Sequence, residues 1–228
     1  MSKAAGIPTF RGNDGVWLTN KRVLQSIEIN TFKESSASRR KFWRWFANSP
    51  AWRAQPTRAH WLIKQLDDAG HLVSVLTQNF DMLEKKAGIR QGKIRQLHGR
   101  MDRSVCLDCG CFFDTRQFCQ ELSNCPEPRC PECGGIIKPC IVFFGEQLDE
   151  IMLRYISGID IPSCDELWCI GSSLTVYPAA DIPKYAKELG KRIVIVSTTP
   201  TALDDIADEV IRQPADIAMA LLVSRTIN

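Results

Sequence analysis

Three groups of residues in this chain have types and spacings that can do chemistry. The first is Thr77, Gln78, Asn79, Phe80 and Asp81, which follows an apolar run ending at Leu76 and precedes the helical pattern DMLEKKAG. Two amides and a carboxylate just past the end of a predicted strand lie where open parallel sheets receive ligands. The alternative is a polar strand-to-helix turn capped by Asn79 or Asp81. The second is His98, in QLHG, one of only three histidines. An imidazole titrates close to working pH and can move a proton. His60 falls inside a predicted helix and His71 just after Gly70, so both read as structural or exposed. The third is two C-x-x-C pairs, Cys106/Cys109 and Cys130/Cys133, with twenty residues between them. Two knuckles of two sulfurs each close a tetrahedron around one zinc ion and leave no open position, so this zinc stabilises rather than catalyses. A redox dithiol is the alternative, and Cys125 is the one rival ligand.

The elements that must position these groups alternate along the chain. TRAHWLIKQLDDAG reads as a helix capped by Thr57 and ended by Gly70. HLVSVL reads as a short buried strand, and DMLEKKAG as a helix that stops at Gly88. After the cysteine-rich stretch 106–133, IIKPCIVFFGE is a strand into a loop, and ELWCIGSSLTVYP is a strand ending in small residues. AADIPKYAKELG is a helix with Pro183 in its first turn. RIVIVSTTP is a strand, and ADIAMALLVSRT a final helix. Strands alternating with helices predict an α/β fold with a doubly wound parallel sheet. The cysteine stretch reads as a small metal-stapled module inserted in it. The aromatic cluster Phe42, Trp43, Trp45 and Phe46 reads as packing.

The chain has 228 residues, 44% hydrophobic and 24% charged, with net charge +3. That composition is ordinary for a soluble globular protein, and the charge is too small to argue for direct nucleic-acid binding. No apolar run approaches the roughly 20 residues a membrane-crossing helix needs. MSKAAGIPTFRG has no signal-peptide core, so an intracellular location, nucleus or cytoplasm, is expected, and the ten cysteines read as thiols and metal ligands.

The pieces GIPTFRG (6–12), TQNFDMLEKKAG (77–88), QLHG (96–99), the two C-x-x-C pairs, KPCIVFFGE (138–146), GSSLTVYPAA (171–180) and PT (200–201) occur in one order. Together they resemble the sirtuins, NAD-dependent protein-lysine deacylases, over nearly the whole chain from residue 6. The resemblance implies a Rossmann-like NAD-binding domain over 1–99 and 138–228, with a zinc-ribbon-like domain over 100–137. NAD and the acyl-lysine of an acetylated protein substrate would meet in the cleft between them.

Residue by residue, the resemblance implies that Gln78 and Asn79 contact the nicotinamide ribose and position the reacting atoms, and that Asp81 binds the nicotinamide carboxamide. His98 would deprotonate a ribose hydroxyl after the acyl oxygen has displaced nicotinamide. Phe10 and Arg11 would belong to a mobile cofactor loop. Gly171, Ser172 and Ser173 would approach phosphate and ribose, and Ser197 stands where many relatives place an Asn on the adenine side. Val142, Phe143, Gly145 and Glu146 on one loop, with Leu174 and Val176 on another, would hold the peptide as an added strand.

The match departs from the family in places. Relatives begin with a strand and a Gly-Ala-Gly-Ile-Ser phosphate loop, whereas this sequence starts five residues before Gly6. The expectation is a sheet short of a central strand and a site short of backbone phosphate donors. Phe80, Met82 and Glu84 replace a commoner Ile, Gly and His; the Glu points toward histone substrates. The Tyr-x-x-Arg pair of desuccinylating relatives is absent, which favours acetyl over larger acidic acyl groups. Two other functions remain open on the sequence: a weakly active acyl-lysine-binding regulatory module, and ADP-ribosyl transfer to protein.

Overall fold

The computed structural model describes residues 1–8 and 21–227. Its strands are β1 (Val75–Thr77), β2 (Ile94–Gln96), β3 (Gly99–Cys106), β4 (Phe112–Asp114), β5 (Ile137–Ile141), β6 (Glu166–Ile170), β7 (Arg192–Val196) and β8 (Glu209–Ile211). Its α-helices are α1 (Lys21–Ser26), α2 (Ile29–Glu34), α3 (Ser36–Ala47), α4 (Arg58–Asp68), α5 (Leu83–Lys86), α6 (Thr115–Glu121), α7 (Glu150–Tyr155), α8 (Ile182–Glu188) and α9 (Ala215–Ile227). Among the described residues no helix is long and apolar enough to cross a membrane.

The parallel strands form two pieces. β1 pairs with β2, and β6, β7 and β8 form a second sheet with β7 in the middle. β7 shows why such a strand reads as an unbroken apolar run. Ile193 to Val196 are at most 1% exposed. Val194 and Val196 pack on α4 and α9 through Ile63, Leu66, Met219 and Leu222. Ile193 and Ile195 face the other way, onto Ile156, Ile161, Ala179 and Ala186. Both faces are covered by helices, as parallel sheets require.

β1 and β6 are different. Among the described residues no ladder joins them, although both line one cavity of about 1970 Å³. Val75, Leu76, Leu167, Trp168 and Ile170 are only half-buried in consequence. The strand expected over 71–76 is therefore shorter, Val75–Thr77, and less buried than its composition suggests. An apolar run needs a neighbour on each edge and face to be covered, and here one edge is open.

β3, β4 and β5 make an antiparallel sheet with β3 central. The expected domain boundaries at 99/100 and 137/138 fall within the β3–β5 ladder. Beneath this sheet lies the aromatic cluster: Phe32, Phe42, Trp43 and Phe46 are fully buried and stack edge-on or offset at 5.2–6.1 Å, with Phe143 5.1 Å from both Phe32 and Phe42. Helix α3 is started by Ser35, whose hydroxyl accepts from Ser38 N. Its buried Arg39 reaches across to Glu127 at 2.7 Å and so ties α3 to the cysteine-rich segment.

Helix α4 follows the expected limits. Thr57 is its N-cap, His60 Nδ1 accepts from Thr57 N at 3.0 Å, and Gly70 ends the turn at φ 82°. His60 is thus structural, fully buried, and burial pushes its pKa down to about 4.

Candidate active site and zinc centre

The four cysteines come together. Their sulfurs all lie within 4.8 Å of one another, with Cys106 to Cys133 at 3.5 Å and Cys109 to Cys130 at 3.7 Å. A tetrahedral zinc with sulfurs at about 2.3 Å spaces them by roughly 3.8 Å, so the donor set fits that ion. The knuckle geometry explains the spacing: Cys109 N points at Cys106 Sγ, and Gly110 and Gly134 take positive φ just after each pair. Burial raises the Cys106 thiol, but backbone N–H groups of Cys109 and Asp108 outweigh it and bring it down to about 7. The Gly135 N–H lowers Cys133, yet the thiols of Cys109 and Cys106 push it up to about 12. Four thiolates this close ionise together only around a cation. Cys125 stands outside the cluster and bonds to Glu127 O.

The second centre lies where β1 ends. Thr77 is buried, and its hydroxyl accepts from Asn79 N at 3.2 Å. Asp81 is 3% exposed. One of its oxygens accepts from Leu83 N at 3.1 Å, as the capping alternative required. The other accepts the Ser2 hydroxyl at 2.6 Å, a contact 79 residues apart that no local pattern announces. Glu84, on α5, is buried with one oxygen unpartnered among the described residues, and burial raises its pKa. Met82 takes φ 65°, a left-handed conformation in which relatives' Gly would sit without strain.

His98 stands across from these residues. Its Nδ1 lies 2.8 Å from the Gln78 carbonyl. A carbonyl only accepts, so Nδ1 carries the proton and Nε2 presents its lone pair. Burial lowers the His98 pKa, partly offset by that carbonyl, and so keeps the ring neutral. The glycine of QLHG is dictated by space: Gly99 has φ 79°, and a Cβ there would sit 2.0 Å from Cys140 O. His98 O in turn accepts from Val142 N at 3.0 Å, joining the imidazole's backbone to the next loop.

That loop, 142–146, is stitched to the segment before α2. Phe144 N donates to Ile27 O, and Ile29 N to Phe144 O, beside the Glu28↔Phe144 bridge. Phe143 turns its ring into the aromatic core at 2% exposure, so it can offer a substrate only backbone. Glu146 spends a carboxylate oxygen on Phe143 N at 2.6 Å. Opposite, Ser172 Oγ accepts from Leu174 N at 3.2 Å and lies 3.5 Å from Gln78 Nε2. Leu174 is buried at φ 55°, and Ser173 Oγ meets Thr175 Oγ1 at 2.9 Å. Ser197 Oγ is turned onto Thr199 O.

One cavity collects the groups. Gln78, Asn79, Asp81 and His98, the loop residues Val142, Phe143, Gly145 and Glu146, and Gly171, Ser172, Ser173, Leu174, Val176 and Ser197 all line it. Phe10 and Arg11 lie outside the described residues. Ser2, Phe144 and Glu84 also line it without having been singled out as site residues from sequence. No motif marks Ser2 in the sequence, and of the three only the Glu at 84 draws notice. A cleft lined by paired amide, carboxylate and hydroxyl groups and by small serines fits a dinucleotide.

The comparisons agree with this geometry. A family model described as Sir2 family matches residues 1–178. The "NAD-dependent protein deacylase 2" of Archaeoglobus fulgidus is 38% identical over 210 residues, covering 91% of this chain and 80% of that protein. The "NAD-dependent protein deacetylase" of Saccharolobus solfataricus is 39% identical over 227 residues, covering 96% and 85%. A solved structure described as "Sir2-p53 peptide-NAD+" superposes with a TM-score of 0.85 at 30% identity, covering 99% of this chain and 89% of that one. With the cysteine cluster, the cleft and these matches in hand, the chain belongs to the Sir2 family.

Proposed function

We propose that the chain is an NAD-dependent protein-lysine deacetylase. NAD, when bound, supplies the ADP-ribose that accepts the acyl group and the nicotinamide that leaves. The observation that carries the residue roles is the imidazole of His98: Nδ1 is held on Gln78 O, so Nε2 is a neutral, oriented base. Asp81 is fixed by Ser2 and Leu83 N beside it and serves the carboxamide end. Gln78 and Asn79 hold the ribose between Asp81 and Ser172, while Ser173 and Ser197 take the far end of the dinucleotide. Phe10 and Arg11 are assigned to covering it. Val142 and Gly145 on one loop and Leu174 and Val176 on the other form the acyl-lysine side, with Phe143 and Glu146 shaping the turn that carries the first two. Cys106, Cys109, Cys130 and Cys133 hold a zinc ion that supports the module without touching substrate. We assign the module to 100–137 and the Rossmann-like domain to 1–99 and 138–228. Acetylated proteins, histones among them, are the assigned substrates, in the nucleus or cytoplasm. The test is direct: purified protein releases nicotinamide from NAD and forms deacetylated peptide only when an acetyl-lysine peptide is present, and His98→Ala stops formation of the deacetylated peptide. Steady-state formation of deacetylated peptide that persists in that variant overturns the assignment of the base.

One observation favours a second reading. The open edges of β1 and β6 lie along the same cavity as the site. A dinucleotide bound over an unfilled sheet would be held weakly, leaving an acyl-lysine-binding module with slow turnover. Calorimetry with NAD decides: micromolar affinity excludes this reading, and absence of binding supports it.

A further inference from the structure

Lys138 is a buried cation with no part in zinc binding or in the dinucleotide end. It is 4% exposed within β5. Its ammonium donates to Ile141 O at 2.7 Å and pairs with Glu146 Oε2 at 2.8 Å. The same carboxylate oxygen accepts from Phe143 N at 2.6 Å, and the ammonium lies 4.4 Å from the centroid of the Phe143 ring. Glu146 N donates to Phe143 O at 3.0 Å, which closes a four-residue turn with Gly145 third at φ 87°. One ion pair therefore fastens the beginning of the turn, its end and the strand that carries it.

Burying a charge pair is costly, and two apolar side chains would hold β5 against the aromatic core at least as well. An apolar pair cannot give Phe143 N and Ile141 O directed partners. Within the turn, Val142 N, Phe143 N and O, and Phe144 N and O are all engaged. Val142 C=O and Gly145 N–H have no partner among the described residues, and both residues line the cavity. Free main-chain groups in a fixed turn are what an extended peptide pairs with.

We propose that the buried Lys138–Glu146 pair is the positioning device of the acyl-lysine subsite, holding the 142–146 turn so that Val142 C=O and Gly145 N–H meet the backbone of the bound peptide. This rests on the deacetylase reading. Neither side chain reaches the reacting atoms, and both act through the turn. The test compares the parent enzyme with Lys138→Met, the double variant Lys138→Met/Glu146→Gln and Lys138→Arg, reading nicotinamide release against acetyl-lysine peptide and NAD separately. The double variant removes both charges, so it folds even where the single change strands a buried carboxylate. The expected result is a peptide KM raised at least fivefold in the double variant, an NAD KM within twofold, kcat within threefold, and a peptide KM restored to within twofold by Lys138→Arg. A peptide KM within twofold of the parent in the folded double variant overturns the proposal, as does a parallel rise of both KM values. If the parent releases no nicotinamide, the deacetylase reading has failed instead. Peptide Kd from fluorescence anisotropy, compared across the same variants by the same fivefold and twofold limits, then decides the proposal by itself.

Discussion

The two ends of the cleft are built differently. At the end we assign to nicotinamide and acyl-lysine, long-range ties join the local ones: Asp81 to Ser2, His98 to Gln78, Val142 to His98, and Phe144 to Ile27 and Ile29. At the end we assign to phosphate and adenine, the side chains bond mainly to near neighbours, Ser172 to Leu174, Ser173 to Thr175 and Ser197 to Thr199, with Ser172 also 3.5 Å from Gln78 Nε2 where the two ends meet. The first end is preorganised, so its geometry survives before any ligand arrives, which is what a proton-transfer site needs. The second end is held by shorter-range bonds, in the cavity that β1 and β6 also line.

The largest way to break this contrast is to remove the metal. Zinc binding to such a site contributes about 10–16 kcal/mol that doubles as folding free energy. Chelation, or Cys130→Ser, is expected to abolish amide-exchange protection in β3 and β5 and peptide-dependent nicotinamide release together, because His98 adjoins β3 and Val142 adjoins β5. Exchange protection in β7 persists. Protection in β3 that survives chelation would show the sheet stands without metal.

Next in size is His98→Ala, expected to lower steady-state formation of deacetylated peptide by about 10²- to 10⁴-fold. Gly99→Ala follows: its Cβ would clash with Cys140 O at a positive φ, costing about 3 kcal/mol, read as a lower denaturation midpoint in urea. A change at the other end is smaller. Ser172→Ala removes the acceptor of Leu174 N and Gln78 Nε2, roughly 1 kcal/mol, and raises the NAD KM several-fold with less effect on the peptide KM. Equal changes in both KM values would erase the distinction between the ends.

The smallest expected effect is on pH. With His98 assigned as the neutral base and its pKa lowered by burial, the acid limb of kcat/KM is expected below pH 6.5 rather than at it. Stability behaves consistently at His60. Its folded pKa of about 4 lies below the unfolded value near 6.5, so the unfolded chain takes up a proton that the folded one refuses. Stability then falls as pH drops from about 6.5 to about 4 and levels off beneath. A melting temperature flat across that window in the parent would contradict this, and His60→Gln is expected to reduce the slope.

Local chemistry was readable in advance. Helix α4 announced both its ends through Thr57 and Gly70, and the four cysteines announced their cluster by spacing alone. The strand β7 was plain from Ile193 to Val196. By contrast, β3 runs through GRMDRSVC, whose polar residues hide a central strand because its neighbours, β4 and β5, lie further along the chain. Phe143 read as a substrate contact from its motif, whereas its ring packs on Phe32 and Phe42.

By itself the amino-acid order determined the periodicities, the caps, the metal donors and the supply of amide, acid and imidazole groups, since each depends on residues a few positions apart. Only the tertiary structure decided that Ser2 holds Asp81, that Lys138 braces the 142–146 turn, and that β1 and β6 leave an edge open. Those outcomes depend on which distant segments meet once burial has been shared out, and no short stretch of chain encodes its partner.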